Sequence, residues 1–292
     1  MKEIVVLSGK GGTGKTSITA SLAVLAGNEA VVADCDVDAA NMHLLMQPDF
    51  ASSTDFYSGE LAIIDQDTCT RCGICSETCR FDAIPLINSQ YSVNALSCEG
   101  CGYCQKVCPS NAISMKERKS GYVYISTTKV NSTMVHARLD IGAENSGKLV
   151  AKVKSESKDL AIQQNKKFTI VDGSPGIGCP VVSSLAGANY VVLVTEPTVS
   201  GLHDLERIYN VIKRFRIKAG CIINKFDINP TKTEEIVNFL KAEGILHLVN
   251  IPYDIRFTKA MTKAKTIVET ETLPKYLLKD AWFKIKDELT NN

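Results

Sequence analysis

The chain has 292 residues, more than one hydrophobic core usually takes, so one large domain or a large domain with a small companion is expected. Its formal net charge is +1, which gives no chain-wide attraction to nucleic acid or anionic lipid, and no apolar run reaches the length of a membrane span. The opening MKEIVVLSGK lacks the apolar core and cleavage site of a signal peptide, so the expected compartment is the reducing cytoplasm, where eleven cysteines need an explanation other than disulfides.

The first predicted element is a short buried strand over 3–7. It runs into SGKGGTGKTS at 8–17, and a helix is predicted over 15–26. Strand, glycine loop and helix start in that order form a phosphate cradle. Gly9, Gly11, Gly12 and Gly14 let backbone N–H groups turn inward, with Thr13 and Ser17 completing the loop. The helix N-terminus adds its positive dipole end. Lys15 supplies a charge for the β/γ-phosphates of ATP or ADP and Thr16 a hydroxyl for Mg²⁺. A second strand, predicted over 30–34, ends in the closely spaced acids of ADCDVD.

Next come two cysteine runs, Cys69, Cys72, Cys75, Cys79 and Cys98, Cys101, Cys104, Cys108, each spaced C-x2-C-x2-C-x3-C. Zinc knuckles use paired C-x2-C, not runs of four. The pattern is that of bacterial ferredoxins with two 4Fe–4S clusters. Three thiolates of a run wrap one cubane, and the fourth points across a turn to its neighbour. The expected ligand sets are therefore crossed: Cys69, Cys72, Cys75 with Cys108, and Cys98, Cys101, Cys104 with Cys79. The flanks repeat as well: CTRCGICSETCRFDAI and CEGCGYCQKVCPSNAI align residue for residue, 29 positions apart from Cys69 to Cys98. Pro109 closes the second run, whereas Arg80 stands at the matching place in the first. An inserted α+β bacterial-type ferredoxin domain is expected over 59–117. It divides the nucleotide domain into 1–58 and 118–292.

Beyond the insertion, GYVYIST and TMVHARLD alternate and read as a hairpin that contains His136, a lone histidine with no evident partner. A capped helix is expected from Asn145 or Ser146. Strands are predicted over 168–172, 190–195, 219–224 and 246–251, and helices over 201–215, 231–243 and 274–289. Thr231 with Glu234 reads as a capping box. Leu278, Trp282, Ile285 and Leu289 form a narrow apolar stripe suited to packing on the domain. KRFRIK at 213–218 reads as a solvated helix end, and no nucleic-acid or membrane partner is expected. Strand–helix alternation with β-rich strands implies a parallel sheet covered on both faces. The fold class is thus α/β, a parallel-sheet P-loop NTPase interrupted by the ferredoxin module.

KGGTGKT at 10–16, with its additional lysine, resembles the deviant Walker A of the MinD/ParA class, which includes the nitrogenase iron protein and the Mrp-type cluster carriers. The resemblance covers nearly the whole chain and implies several roles. Lys10 would reach across a homodimer to the partner's nucleotide. Asp36 would orient the attacking water, and Asp38 would share that task or touch Mg²⁺. FTIVDGSPGIG at 168–178 resembles Walker B with switch II, so Asp172 would hold Mg²⁺ through water. Asn224, Pro252 and Asp254 stand where this class binds adenine.

Cys35 and Cys221 lie in strand-like runs and read as buried hydrophobes. Cys179 follows the Walker B aspartate as a cluster ligand does in the nitrogenase iron protein, but no cysteine lies between Cys108 and Cys179 to serve as its second ligand. The leading expectation is an ATP-gated electron-transfer protein that reduces a redox partner. The first alternative is a cluster scaffold or carrier of the Mrp type, weakened because no cysteine follows Cys221. The second is a MinD/ParA-like positioning ATPase, which leaves both clusters idle.

Overall fold

The computed structural model describes residues 1–140, 142 and 146–290. The chain divides into two compact units. One holds residues 1–53, 123–138 and 146 onward; the other holds 54–122 with Leu139, Asp140 and Gly142.

The first unit opens with β1 (Lys2–Leu7), α1 (Lys15–Ala26), β2 (Ala30–Asp34) and a single turn, α2 (His43–Met46). The chain leaves it along β3 (Ser52–Ile64). It passes through α3 (Ile74–Glu77), β4 (Leu86–Ile87), β5 (Gln90–Tyr91) and α4 (Tyr103–Val107), then returns along β6 (Ile113–Thr127) and β7 (Thr133–Leu139). The first unit is completed by α5 (Ser146–Gln163), β8 (Phe168–Asp172), α6 (Cys179–Leu185), β9 (Tyr190–Thr195), α7 (Val199–Phe215), β10 (Lys218–Asn224), α8 (Pro230–Glu243), β11 (Leu246–Ile251), α9 (Arg256–Met261) and α10 (Leu273–Thr290).

The sheet order is β11-β10-β9-β1-β8-β2-β7-β6-β3. β1 runs parallel to β8 and β9, and β2 parallel to β8 and β7. β2, β8 and β9 are buried at every residue. Helices cover both faces of such strands, so their apolar residues are continuous rather than alternating. The register places Asp34 beside Asp172 and Val6 beside Asp172. Three strands therefore deliver their carboxyl ends to one crevice, the usual ligand position in an open parallel sheet.

The stripe of Leu278, Trp282, Ile285 and Leu289 is buried in the main core, with Trp282 edge-on to Phe168 at 5.3 Å between ring centroids. Each such buried side chain contributes about 1.5–3 kcal/mol of transfer free energy. Among the described residues no helix is long and apolar enough to cross a membrane. Lys213 and Arg214 close the last turn of α7, where Lys213 pairs with Glu243 at 2.5 Å.

Three details depart from expectation. The cap of α8 is Asn229, whose side chain accepts from Lys232 N–H, with Pro230 at the first helical position. Thr231 lies inside the first turn and no Thr231–Glu234 box caps the helix, because proline pre-sets the helical φ one residue earlier. The hairpin of β6 and β7 forms, with Thr128 N–H donating to Ser132 O at 2.9 Å. Its first strand starts as far back as Ile113, hidden in the sequence by the charges of Lys116, Glu117 and Arg118. Asn145 lies outside the described residues; α5 is described from Ser146.

The second unit is wider than the 59–117 read from the cysteine repeat, because β3 and β6 enter and leave it as continuous strands with no linker-like composition. Its small core is Ala62, Cys75, Ile84 and Ile113, against which Cys79, Cys98, Cys104 and Cys108 pack. The sequence repeat is also a backbone repeat. Left-handed φ values recur at matching positions: Arg71 (60°) and Gly100 (64°), Gly73 (83°) and Gly102 (71°), Asp82 (50°) and Asn111 (53°).

Candidate functional site

Between β1 and α1 the loop turns through left-handed backbone at Gly12 (φ 82°) and Gly14 (φ 92°), where a side chain would be strained. Gly14 is also crowded: a Cβ there would stand 2.5 Å from Asn224 Nδ2. Asn224, at the end of β10, donates to the Thr13 carbonyl at 2.8 Å and so fixes the loop from behind. A Cβ on Gly9 would meet the Asp204 carbonyl oxygen of α7 at 2.3 Å.

Gly11, Gly12, Thr13, Gly14, Lys15, Thr16 and Ser17 line one side of a cavity of about 570 Å³. Asp36, Ala39 and Asn41 line another, with Leu44, Pro175 and Met261 completing the wall. Asn41 and Met261 are additions to the residues read from sequence. Asn41 lies in the acid-bearing loop after β2. Met261 comes from α9, far along the chain, and carries no sequence signal.

Beneath the loop lies a buried charge cluster. Lys15 Nζ sits 2.8 Å from Asp172 Oδ1 and 3.4 Å from Asp36 Oδ2. Thr16 Oγ1 donates to Asp172 Oδ2 and Thr19 Oγ1 to Asp172 Oδ1, each at 2.8 Å. Burial works against the Lys15 charge, but Asp172 and then Asp36 hold its pKa above the usual lysine value. Burial raises Asp36, with Lys15 opposing. Asp34 accepts from the N–H groups of Asp36 (3.2 Å) and Met42 (3.3 Å), and burial, reinforced by Asp172, pushes its carboxyl up to about 8. Thr16 and Asp172 are the residues here that could hold a divalent cation. Asp38 is exposed and lies off the cavity wall.

Lys10 is turned back onto its own chain. Its ammonium lies 2.8 Å from Glu196 Oε1 and donates to Thr198 Oγ1 (3.1 Å) and Ser200 Oγ (2.8 Å). Lys225 pairs with the same carboxylate at 2.9 Å and donates to the Gly12 carbonyl at 3.1 Å. Burial raises the Glu196 pKa, but the hydrogen bonds from both lysines bring it below the usual range. Pro252 and Asp254, expected at the adenine, are absent from the cavity wall. Asp254 is committed to Arg256, whose Nη2 lies 2.6 Å away and whose Nε donates at 2.9 Å.

The eight clustered cysteines fall into two pockets. Cys79, Cys98, Cys101 and Cys104 line a cavity of about 340 Å³ with Phe81 and Tyr103 at its edge. Cys69, Cys72, Cys75 and Cys108 line a narrower one of about 10 Å³ beside Tyr91 and Ile113. These are the crossed sets expected from the spacing. All eleven cysteines are free thiols. No three His, Cys, Asp or Glu side chains among the described residues meet as ligands of a single metal ion. Zinc, at about 2.3 Å from each sulfur, would draw its ligand sulfurs to within about 4 Å of one another. A cubane takes each thiolate on a different iron and so accepts a wider set. The donor chemistry and grouping fit two cubanes; the narrower pocket requires its cysteine side chains to splay. Cys35 and Cys221 are fully buried, and Cys179 is the exposed first residue of α6. His136 is buried against Ser126 at 3.0 Å, and burial lowers its pKa to about 4, so it serves the core.

Comparison with known proteins places this geometry. The profile of the CobQ/CobB/MinD/ParA nucleotide binding domain matches residues 4–267. An uncharacterised protein of Methanocaldococcus jannaschii is 31% identical over 287 residues, 98% of this chain and 96% of the relative. The fold is similar to that of a chain in the MinC:MinD cell division protein complex of Aquifex aeolicus (TM-score 0.60, 17% identity, 98% of this chain and 96% of that one). It is also similar to MinD of Pyrococcus horikoshii complexed with Mg-ADP (TM-score 0.56, 17% identity, 97% and 95%).

Proposed function

The chain belongs to the CobQ/CobB/MinD/ParA nucleotide-binding family, and on that premise we propose that it is a MinD/ParA-type switch that binds ATP with Mg²⁺, closes as a homodimer and hydrolyses the nucleotide. The observation that carries this reading is the Lys15–Asp172–Thr16 constellation beneath the glycine loop. A phosphate entering the cavity draws on Lys15 and the α1 N-terminus. Thr16 and Asp172 would hold a divalent cation, which would offset the phosphate charge. Asp36, half-buried on the facing wall, orients water. Lys10 leaves Glu196 and reaches the nucleotide bound by the partner subunit. The test is nucleotide-dependent association. Wild-type protein with ATP should dimerise and turn over, and Asp36→Ala should bind ATP and stay dimeric because its water is no longer aligned. ATP binding without any change in association would overturn the switch.

A second reading is favoured by one observation, the division of eight thiols into the two crossed sets. In it the second unit carries two 4Fe–4S clusters, and the nucleotide switch gates electron transfer to a redox partner. The family likeness supports the switch and says nothing of iron, so this reading stands second. The resident clusters would supply one-electron redox chemistry, and the thiolates and their neighbouring N–H groups would bind and tune them. Iron and sulfide analysis of protein purified without oxygen decides it. Two zinc ions per chain and no sulfide would end it.

A further inference from the structure

The two halves of the second unit are copies, and at the sulfur of the crossing cysteine one half has a side-chain hydroxyl that the other lacks. In the first half the Ala83 N–H donates to Cys79 Sγ at 3.4 Å. In the second the matching Ala112 N–H donates to Cys108 Sγ at 3.3 Å. Both alanines are buried, so both bonds are part of the fold. All three positions between cysteine and alanine differ, and one of them puts a hydroxyl beside the sulfur in one half alone. Ser110 places its hydroxyl 3.6 Å from Cys108 Sγ. Its counterpart is Phe81, which has no donor and is half-exposed at the rim of the larger cavity. A ligating thiolate carries no proton, so toward it the hydroxyl can only donate.

Hydrogen bonds to cluster sulfur stabilise the more reduced, more negative state and raise its potential. We infer that Ser110 makes the two halves electrically unequal, raising the potential of the site built on Cys69, Cys72, Cys75 and Cys108 above that of the site built on Cys79, Cys98, Cys101 and Cys104. The inference rests on the iron–sulfur reading. Arg71, beside Cys72, has Gly100 as its counterpart and acts in the same direction, so the Ser110 variants are needed to isolate the hydroxyl. Arg80 and Glu99 both line the cavity of the lower-potential site, are exposed and of opposite sign, and are screened by solvent. Arg118 donates to the Cys98 carbonyl at 3.3 Å and acts against the proposed order, so the hydroxyl must outweigh it. The consequence is direction. With both clusters bound, an electron given by an external one-electron reductant to the Cys79-containing site would pass to the Cys108-containing site, oxidising the first and reducing the second.

The test is a dithionite titration of the anaerobic full-length protein followed by EPR. Wild type should show two separated midpoints. Ser110→Ala should lower the higher midpoint and leave the other in place. Phe81→Ser should raise the lower midpoint. Ser110→Thr, which keeps the hydroxyl, should restore the wild-type value and so exclude a loss of packing. Coincident wild-type midpoints, or midpoints unmoved by both Ser110→Ala and Phe81→Ser, overturn the inference and leave the clusters standing. Protein without iron or sulfide overturns the iron–sulfur reading itself.

Discussion

The ammonium of Lys15 rests 2.8 Å from the carboxylate of Asp172, an acid with no exposure to solvent at the end of a central strand. In this arrangement the acid neutralises the lysine that a phosphate would claim. Removing one partner of a buried pair leaves the other charge uncompensated, which costs about 3–5 kcal/mol. Lys15→Ala is therefore expected both to abolish ATP binding and to destabilise the nucleotide-free protein by that amount. Asp172→Asn keeps an acceptor for Thr16 and removes the charge, so it should weaken Mg²⁺-dependent binding with a smaller stability loss. Urea denaturation with and without Mg-ATP measures both effects. A Lys15→Ala protein as stable as wild type would mean that the ion pair is open to water.

The cysteine sets lead to a second expectation. Because Cys108 lines the pocket of Cys69, Cys72 and Cys75, Cys108→Ser should damage the site of the first run rather than that of its own run. On the iron–sulfur reading, anaerobic wild-type protein should carry about eight iron atoms per chain and the variant about four. Cys79→Ser should act reciprocally on the site of Cys98, Cys101 and Cys104. Iron analysis with EPR of each variant checks this. Loss confined to the variant's own run would undo the crossing.

Much of this architecture was legible because it follows from local rules. Strands buried on both faces read as apolar runs, so β2, β8 and β9 are found at the predicted residues. The phosphate loop was legible for the same reason, since its glycines answer to backbone geometry. Relations between distant residues were not legible. Glu196 meets Lys10 and Lys225 across the fold, and no spacing announces a carboxylate shared by two lysines. Met261 joins the cavity from α9 by tertiary placement alone. The charged stretch of β6 obscured a strand whose existence depends on its neighbours in the sheet. Pro252 and Asp254 were placed at the adenine by resemblance, and the Arg256 pair that engages Asp254 has no sequence signature.

Glu196 gives the third prediction. It holds Lys10 by a partly exposed pair, so the contact is worth no more than about 1 kcal/mol. That is weak enough for Lys10 to leave when a second nucleotide-bound chain approaches. Lys10→Ala should keep most of the affinity for ATP and lose ATP-dependent dimerisation. Glu196→Gln should leave stability within about 1 kcal/mol of wild type and shift dimerisation to lower protein concentration, because the lysine is no longer retained. Light scattering with ATP across a concentration series reads both. Normal dimerisation and turnover by Lys10→Ala would remove the role given to this lysine.

The fourth prediction concerns Asp34, which sits fully buried at the end of β2 and accepts the N–H groups of Asp36 and Met42. Burial, with Asp172 adding, lifts its carboxyl to about 8, against about 3.9 for an unfolded aspartate. Between those values the folded chain keeps a proton that the unfolded chain has released. Its contribution to stability is therefore present below about pH 4 and is lost as the pH rises toward about 8. Asp34→Asn removes the titration and retains a carbonyl acceptor for the loop. Groups remote from Asp34 titrate alike in both proteins and cancel in the difference. The unfolding free energy of Asp34→Asn, measured by urea denaturation from about pH 5 to about pH 8, should fall less steeply than that of wild type. Parallel curves would show that Asp34 is ionised beside Lys15 throughout. A neutral Asp34 has a consequence for the site: the Lys15 charge is then shared by Asp172 and Asp36 alone, and an incoming phosphate competes with two carboxylates rather than three.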